Sequence, residues 1–180
     1  HPHGRTLYLP DATYRISDRI RWGDTGWNIG PQIQGESRKG TVIRLRDRAA
    51  GFQDPANPRG VIRTGDGSAD NFINEIRTLT INTGRGNPGA AGVRLMANNT
   101  GGLFDVTVVS EDGRGWAGID MAYTDMIGPL LIKDVRVEGF DVGVRCGYGV
   151  NSMTLENVEL VCQRHIVLLN AGQCVSVRNL

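Results

Sequence analysis

The segment Ile132-Lys133-Asp134-Val135-Arg136-Val137 alternates apolar and polar residues around a central aspartate, and its pattern recurs along the chain. The pattern has six positions. In order, they hold an apolar residue, any residue, one of the three residues Asp, Asn and Thr, an apolar residue, any residue and an apolar residue. Further complete copies occupy Ile76–Ile81, Leu103–Val108 and Leu155–Leu160, and a fifth copy begins at Val177. Successive copies start 27, 29, 23 and 22 residues apart, which identifies the chain as a repeat protein.

A second short motif follows each of the four complete copies. These motifs are Gly92–Leu95, Gly118–Met121, Gly143–Cys146 and His165–Leu168. Two short strands per repeat, separated by Gly-rich or polar corners, fit one coil of a β-solenoid better than a sandwich hairpin. A leucine-rich repeat is matched only in part, because no recurring helix is present. Residues 150–171 lack Gly and Pro and by themselves also fit a helix, but the repeat register favours strands. The prediction is an all-β chain folded as a right-handed parallel β-helix.

The repeats also predict which side chains share a column. Leu79, Val106, Val135 and Val158 hold the same position and are expected to stack in the interior. The recurring polar residues should stack as well, and at a solenoid corner such side chains bind backbone groups more readily than metal ions. These polar residues are Thr78, Asp105, Asp134, Asn157 and Asn179.

Composition limits the kinds of partner that the chain is expected to have. Its 180 residues suit one domain, and with 39% hydrophobic residues a disordered chain is not expected. The net charge of +1 gives no reason to expect nucleic acid or an anionic membrane as a partner. No apolar run approaches the roughly 20 residues of a membrane-spanning helix. Eighteen of the 20 basic residues are Arg, which fits binding of acidic groups but equally fits a bias in genomic base composition.

The three cysteines and the chain ends carry further expectations. Cys146, Cys162 and Cys174 do not form a zinc pattern with the three histidines and are predicted to be buried free thiols. The chain starts without Met and ends in mid-pattern, so we expect a fragment whose partners include the remaining coils of a parent chain. Residues 1–180 are predicted to form one β-helix, with irregular coils over 1–75 and regular coils over 76–180.

The irregular N-terminal part still contains strand-like segments. Strands are predicted at 6–9, 13–20, 32–35 and 41–46, with a loop over 51–60 and a short helical turn over 71–76.

The N-terminal segments resemble the pectate lyase-like superfamily. Leu7-Tyr8-Leu9-Pro10-Asp11-Ala12-Thr13-Tyr14-Arg15-Ile16 is similar to the entry strand of its bacterial rhamnogalacturonase/epimerase-type branch, which is related to glycoside hydrolase families 28 and 55. Gln32–Ser37 followed by Thr41–Leu45 is similar to the next coil of that branch. Ala12 and Ser37 stand where the branch usually has glycine, so the turns differ locally.

This resemblance implies a carbohydrate-active β-helix, secreted or periplasmic, that hydrolyses or eliminates a polysaccharide. It does not supply a catalytic set, because the Asn-Thr-Asp, Asp-Asp, Gly-His-Gly and Arg-Ile-Lys blocks of family 28 do not occur in this sequence. The aspartate cluster of Ca-dependent lyases is not recognisable either. No cofactor is therefore predicted, with Ca²⁺ kept open for a lyase.

Alternation in the second strand predicts a polar column on its outer face. Val93, Ile119 and Val144 should point inward, which leaves Arg94, Asp120, Arg145 and Val167 pointing outward in adjacent coils. Such a column is either a surface ion-pair ladder or a subsite that binds a uronate carboxylate through Arg94 or Arg145. The resemblance adds Arg145 as a candidate base, because lyases of the superfamily use an arginine.

Other candidate site residues lie next to this column. Tyr123 and Tyr148 occupy equivalent positions beyond it, where aromatic rings serve either as scaffold or as platforms for a sugar ring. Asp120 and Asp125 are the candidate catalytic acids, because glycoside hydrolysis needs two carboxylates about 5–9.5 Å apart.

Three further patterns are weak signals. Gly84–Gly89 matches a dinucleotide-binding fingerprint by letters, but a strand rather than a helix is predicted to follow it. Asn98-Asn99-Thr100 matches a glycosylation sequon by letters, and His165 is expected to be a corner residue. Two function classes therefore stay open, a polysaccharide-degrading enzyme and a non-catalytic β-helix for glycan binding or adhesion.

Overall fold

A computed structural model describes residues 4–22, 28–67, 69–147 and 152–180. In these ranges the chain contains strands and turns but no helix. The strands, in chain order, are β1 (Thr6–Leu9), β2 (Ala12–Ile16), β3 (Ile20–Arg21), β4 (Asn28–Ile29), β5 (Gln32–Gly35), β6 (Thr41–Leu45), β7 (Arg59–Arg63), β8 (Asn71–Phe72), β9 (Glu75–Asn82), β10 (Ala90–Arg94), β11 (Gly101–Val109), β12 (Gly115–Met121), β13 (Leu130–Glu138), β14 (Phe140–Cys146), β15 (Ser152–Val161), β16 (Ile166–Asn170) and β17 (Cys174–Arg178).

The strands form stacked parallel sheets, which confirms the predicted β-helix, with about 6 turns. The first sheet follows the order β1-β5-β9-β11-β13-β15-β17, with β2 and β6 completing it in the early coils. The second sheet follows the order β16-β14-β12-β10-β7-β3. A short pair, β4 and β8, adds a third column of strands. Each coil thus pairs only with its neighbours, as expected for a solenoid.

The recurring polar residue is the point where the long strand bends. Thr78, Asp105, Asp134, Asn157 and Asn179 all have positive φ, between 52° and 57°. Asn and Asp adopt this left-handed conformation more readily than most residues, which explains why they recur here. In the second coil, β5 and β6 pair with the two ends of β9, so the loop between β5 and β6 replaces the single bend residue.

The bend residues also form a hydrogen-bonded ladder. Asn157 Nδ2 donates to Asp134 Oδ1 over 2.9 Å, and Asn179 Nδ2 donates to Asn157 Oδ1 over 2.9 Å. The predicted stacking is therefore confirmed. The bonds of this ladder run between side chains of successive coils, whereas the sequence suggested bonds to the backbone.

The interior column predicted from the repeats is confirmed. Leu79 pairs with Val106 and Val135 pairs with Val158, and all four side chains are buried. The second sheet contributes the facing interior layer through Val93, Ile119 and Val144, which align across three coils.

The predicted alignment of the last second-sheet strand is wrong by two residues. Arg145 pairs with Leu169, not with Val167, and Val144 pairs with Leu168. A shift of two residues keeps every side chain on the same face, so alternation of apolar and polar residues cannot detect it.

Other local expectations also need correction. Residues 71–76 contain β8 and the start of β9 instead of a helical turn, and the loop predicted over 51–60 ends where β7 begins. Of the three free cysteines, Cys146 is buried, whereas Cys162 and Cys174 are exposed. Burial raises the pKa of the Cys146 thiol to about 11.

Candidate functional site

The outer face of the second sheet carries a continuous polar row across five coils. Strand pairing aligns one residue from each of β3, β7, β10, β12 and β14, and we call this row the arginine column. Its members are Arg21, Arg63, Arg94, Asp120 and Arg145. The structure thus extends the predicted row by two arginines from the irregular coils.

Asp120 is the buried centre of the arginine column. Its Oδ2 lies 3.1 Å from Nε of Arg94, and its Oδ1 lies 2.9 Å from Nη1 of Arg145. The backbone N–H of Ala122 donates a third bond to Oδ1 over 3.1 Å. The Asp120 side chain is 0% exposed, so its carboxylate holds the two guanidinium groups in place and presents no surface to solvent. The sequence prediction that Asp120 points away from the interior holds, but its placement on the exposed surface does not.

The arginine column has more positive than negative charge. Among the residues that the structure describes, Arg63 forms an ion pair with Asp66, and Asp120 alone forms the ion pairs of Arg94 and Arg145. The same surface includes Arg19, whose pKa is lowered by burial and by the neighbouring charges of Arg59, Arg21 and Arg63. The crowding of guanidinium groups creates a positive potential that favours an anionic ligand.

Aromatic rings pack against the guanidinium groups of the arginine column. The Tyr123 ring lies 5.4 Å from the guanidinium carbon of Arg94 and 5.6 Å from that of Arg63. The Tyr123 hydroxyl donates to the carbonyl of Gly65 over 2.6 Å. Burial raises the pKa of this hydroxyl, so it stays protonated and keeps its donor role. This geometry agrees with the scaffolding alternative for Tyr123, because its partly buried ring packs against the core and the arginines.

Trp116 plays a similar part for the last arginine of the column. The Arg145 guanidinium carbon lies 4.4 Å from the Trp116 ring, a contact that sequence analysis missed. Trp116 lies four residues before Asp120 in β12. Alternation along the strand therefore places both side chains on the same face, and this was the signal from which the contact could have been predicted. Tyr148, the other predicted aromatic, lies outside the described residues.

Asp125 is the predicted acid that is open to solvent. It lies in the loop after β12 and is exposed. This loop contacts the turn after β7, since a Cβ atom placed on Gly67 would lie 2.7 Å from Asp125 Oδ1. The Asp125 carboxylate therefore lies beside the turn that follows β7, which also carries Asp66, the ion-pair partner of Arg63.

The face of the long strands is an ordinary charged surface. Arg136 Nη1 lies 2.5 Å from Oε1 of Glu159, and Thr107 accepts a hydrogen bond from Nε of Arg38 over 2.8 Å. These paired groups have the partners typical of a solvated sheet face.

A family model for rhamnogalacturonase A/epimerase, pectate lyase-like proteins matches residues 1–180. The chain belongs to this family. The resemblance inferred from the N-terminal segments is confirmed, and it covers the whole sequence. No curated protein and no solved structure matches the chain.

The weak sequence signals do not have the geometry of the sites that their letters suggest in this member of the family. Gly84–Gly89 forms a corner that leads into β10, so it does not begin a helix. Asn98 is buried and its amide donates to the carbonyls of Met126 and Gly128 over 2.6 and 3.0 Å, which leaves no room for a glycan. His165 is exposed at a corner, with Nε2 4.0 Å from Asp141 Oδ1.

The described residues also show no metal centre. Within those ranges, no group of three or more His, Cys, Asp or Glu side chains is arranged to hold a metal ion. The described residues therefore do not fit the Ca²⁺ site of a calcium-dependent lyase. In the same ranges no helix is long and apolar enough to cross a membrane.

Proposed function

We propose that this chain is a carbohydrate-active β-helix that binds an acidic polysaccharide along the arginine column. The observation that supports the proposal is the pair of arginines, Arg94 and Arg145, held on either side of the buried Asp120. Guanidinium groups bind carboxylates through two parallel hydrogen bonds, so an acidic glycan with regularly spaced carboxylates suits this row. Adjacent coils lie about 4.8 Å apart, which brings successive arginines within reach of one bound chain.

The ion pairs with Asp120 favour binding over proton transfer. A guanidinium group donates hydrogen bonds and has no site that accepts one. Arg145 is therefore better suited to hold a uronate carboxylate than to remove a proton. Asp120 is likewise unsuited to proton transfer, since its two oxygens accept hydrogen bonds from Arg94, Arg145 and the N–H of Ala122.

Cleavage of the bound glycan is the second candidate function, and the exposed Asp125 favours it. Hydrolysis would need a second open carboxylate facing Asp125 across the scissile bond, and elimination would need Arg145 to act as base after release from Asp120. A non-catalytic adhesion role needs neither group. In either form the proposal places the protein outside the cytoplasm, secreted or periplasmic, where such polysaccharides occur.

Further coils of a parent chain are proposed as partners of the exposed edge. Several apolar side chains at the end of the solenoid are open to solvent. They are Ile166, Val167, Val177 and Leu180. A parallel sheet usually has covered edges and faces, and another coil would cover these side chains in the way that internal coils cover each other.

The test of the binding proposal is calorimetric titration with oligogalacturonates. The double variant Asp120→Asn/Arg145→Gln removes the guanidinium together with the charge that it balances, and Arg136→Gln on the long-strand face is the matched control. We expect the double variant to bind at least 10-fold more weakly and the control to bind like wild type, since one charged hydrogen bond contributes about 1.5–3 kcal/mol. Equal affinities for wild type and the double variant would refute the assignment of this face.

Incubation with the same oligomers separates the enzyme from the adhesion protein. Hydrolysis gives new reducing ends without an unsaturated product, whereas elimination gives an unsaturated product that absorbs ultraviolet light. If cleavage occurs, Asp125→Asn should abolish the hydrolytic form. Tight binding without either product would assign the chain to the non-catalytic class.

A further inference from the structure

A cleft of about 700 Å³ lies at a corner between the first and second sheets. The turns that follow β6, β9 and β11 form it, so three successive coils contribute to one cleft. It adjoins the start of β12, whereas Asp120 of the arginine column lies five residues further along that strand, or roughly 17 Å at about 3.3 Å per residue. The cleft is therefore a separate feature from the arginine column.

The carboxylates of the cleft are already engaged by the protein. Asp112 Oδ2 accepts a hydrogen bond from the N–H of Gly86 over 2.6 Å, and its Oδ1 accepts bonds from Ser110 Oγ and the N–H of Arg114 over 3.1 and 3.2 Å. Asp47 Oδ1 accepts bonds from Arg44 Nη2 over 2.6 Å and from the N–H of Arg85 over 3.1 Å. These bonds fix the turns, and the two carboxylates offset part of the positive charge of the cleft arginines.

The guanidinium groups of the cleft, in contrast, have N–H donors that are available to a ligand. Arg48 and Arg114 are exposed, and neither guanidinium has an ion pair or hydrogen bond within the described part of the chain. Arg85 is 62% exposed and has one ion pair, with Nε 3.3 Å from Glu111 Oε2. Three arginines and two aspartates line the cleft, so its lining carries one positive charge in excess, which a bound anion would neutralise.

The backbone of the cleft is held in place. The N–H of Arg48 donates to the carbonyl of Arg85 over 2.9 Å, which ties the first turn to the second. Gly86 has φ +67°, and a Cβ atom there would lie 2.8 Å from Cγ of Arg48. A side chain at position 86 would push Arg48 out of its place, so glycine preserves the arrangement of the arginines.

We propose that this cleft is a second anion-binding site, in which Arg48, Arg85 and Arg114 hold an oxyanion. The chemical class is a carboxylate or sulfate carried by a glycan, or a free inorganic oxyanion, because a guanidinium fork recognises all of these in the same way. The site does not depend on the proposed function of the arginine column.

The experiment is a titration followed by amide chemical shifts in NMR spectra, with sodium sulfate as the first probe at constant ionic strength. We expect saturable shifts at Gly86, Arg85 and Arg114, and at least 10-fold weaker binding in Arg48→Gln/Arg114→Gln. Both side chains are exposed, so this variant should keep its fold, and Arg136→Gln is the control. Absence of saturable shifts at the cleft, or equal affinity in the double variant, would overturn the proposal.

A second arm with oligogalacturonate and a sulfated oligosaccharide identifies the source of the anion. Tighter binding of one oligomer than of free sulfate assigns the cleft to that glycan. Affinities no tighter than that of sulfate assign it to a free oxyanion. Shifts at the cleft that persist when the Asp120→Asn/Arg145→Gln variant no longer binds at the column show that the two sites are independent.

Discussion

The burial of Asp120 determines what a substitution in the arginine column will do. A solvated ladder would lose little stability when one arginine is removed. Here Arg145→Ala removes one of two ion-pair partners from a carboxylate that is 0% exposed. A buried group that loses a hydrogen-bond partner costs about 1–3 kcal/mol, so we expect the free energy of unfolding to fall by that amount. Urea denaturation measures it.

The double variant Asp120→Asn/Arg145→Gln provides the control for that loss. It removes the uncompensated carboxylate charge but also takes the ion-pair partner from Arg94, so we expect it to regain part of the lost stability. An equal free energy of unfolding for wild type and Arg145→Ala would show that the two arginines do not stabilise the buried Asp120 carboxylate.

Glu111 should make stability depend on pH. Its pKa is lowered from 4.5 by a hydrogen bond from Arg44, with Asn82 adding a second. A carboxyl group whose pKa is lower in the folded state adds stability that is complete above the unfolded pKa and is lost as the pH falls through the folded pKa. We expect Glu111→Gln to be less stable than wild type at pH 7, with a difference that shrinks as pH falls below about 4.5.

Denaturation of both proteins at several pH values checks this prediction. Glu138→Gln, on the long-strand face, is a control for loss of a more exposed arginine pair, since Glu138 pairs with Arg136 and is 40% exposed against 23% for Glu111. A constant difference between wild type and Glu111→Gln at all pH values would contradict the role given to the Arg44 pair.

At the scale of the strand, inward and outward positions should respond very differently to a charge. Val135 is 1% exposed in the interior column, so Val135→Asp places a charge without a partner in the core. We expect a loss of several kcal/mol, enough to prevent folding of a marginally stable chain. Thr107→Asp lies on the outer face beside Arg38 and should be tolerated.

Melting temperatures of the two variants test this assignment. If Val135→Asp does not fold at all, Val135→Ala against Thr107→Ala gives the same comparison with smaller changes. Similar melting temperatures in both pairs would show that the inward and outward faces have been exchanged.

The strands also show how far the sequence predicts the structure. The six-residue repeat located the interior column and the bend residues, because the same residue types recur at the same positions of each copy. It did not predict the left-handed bend at Thr78, since threonine is an uncommon choice for positive φ. It also misaligned β16 by two residues, a shift that leaves the alternation unchanged.

The candidate site was less predictable than the fold. Arg94, Asp120 and Arg145 were found because they occupy the regular coils, whereas Arg63 lies in an irregular coil that no repeat marks. The burial of Asp120 depends on the way in which the long side chains of arginine fold back across neighbouring strands. Strand alternation carries no information about that folding. The corner cleft depends on turns from three coils, which share no sequence pattern.

For the whole molecule, the β-helix acts as a rigid frame that spaces charged groups at regular intervals. Parallel pairing between successive coils fixes the arginine column on one face and the corner cleft beside it. The net charge of +1 hides this local excess of arginine, so the whole-molecule charge alone would not suggest an anionic ligand. The proposed function therefore depends on local placement and not on overall charge.

One measurement tests the central proposal most directly, namely calorimetric titration of the unmodified chain with an oligogalacturonate and with the same oligomer after its carboxyl groups have been reduced to alcohols. The two ligands share length and sugar rings and differ in whether C6 carries a carboxylate or a neutral hydroxymethyl group. We predict that the acidic oligomer binds at least 10-fold more tightly at low salt, with an advantage that falls as salt is raised, because charge-assisted contacts are screened. Equal affinity for the two oligomers, or no binding of the acidic one, would contradict the account.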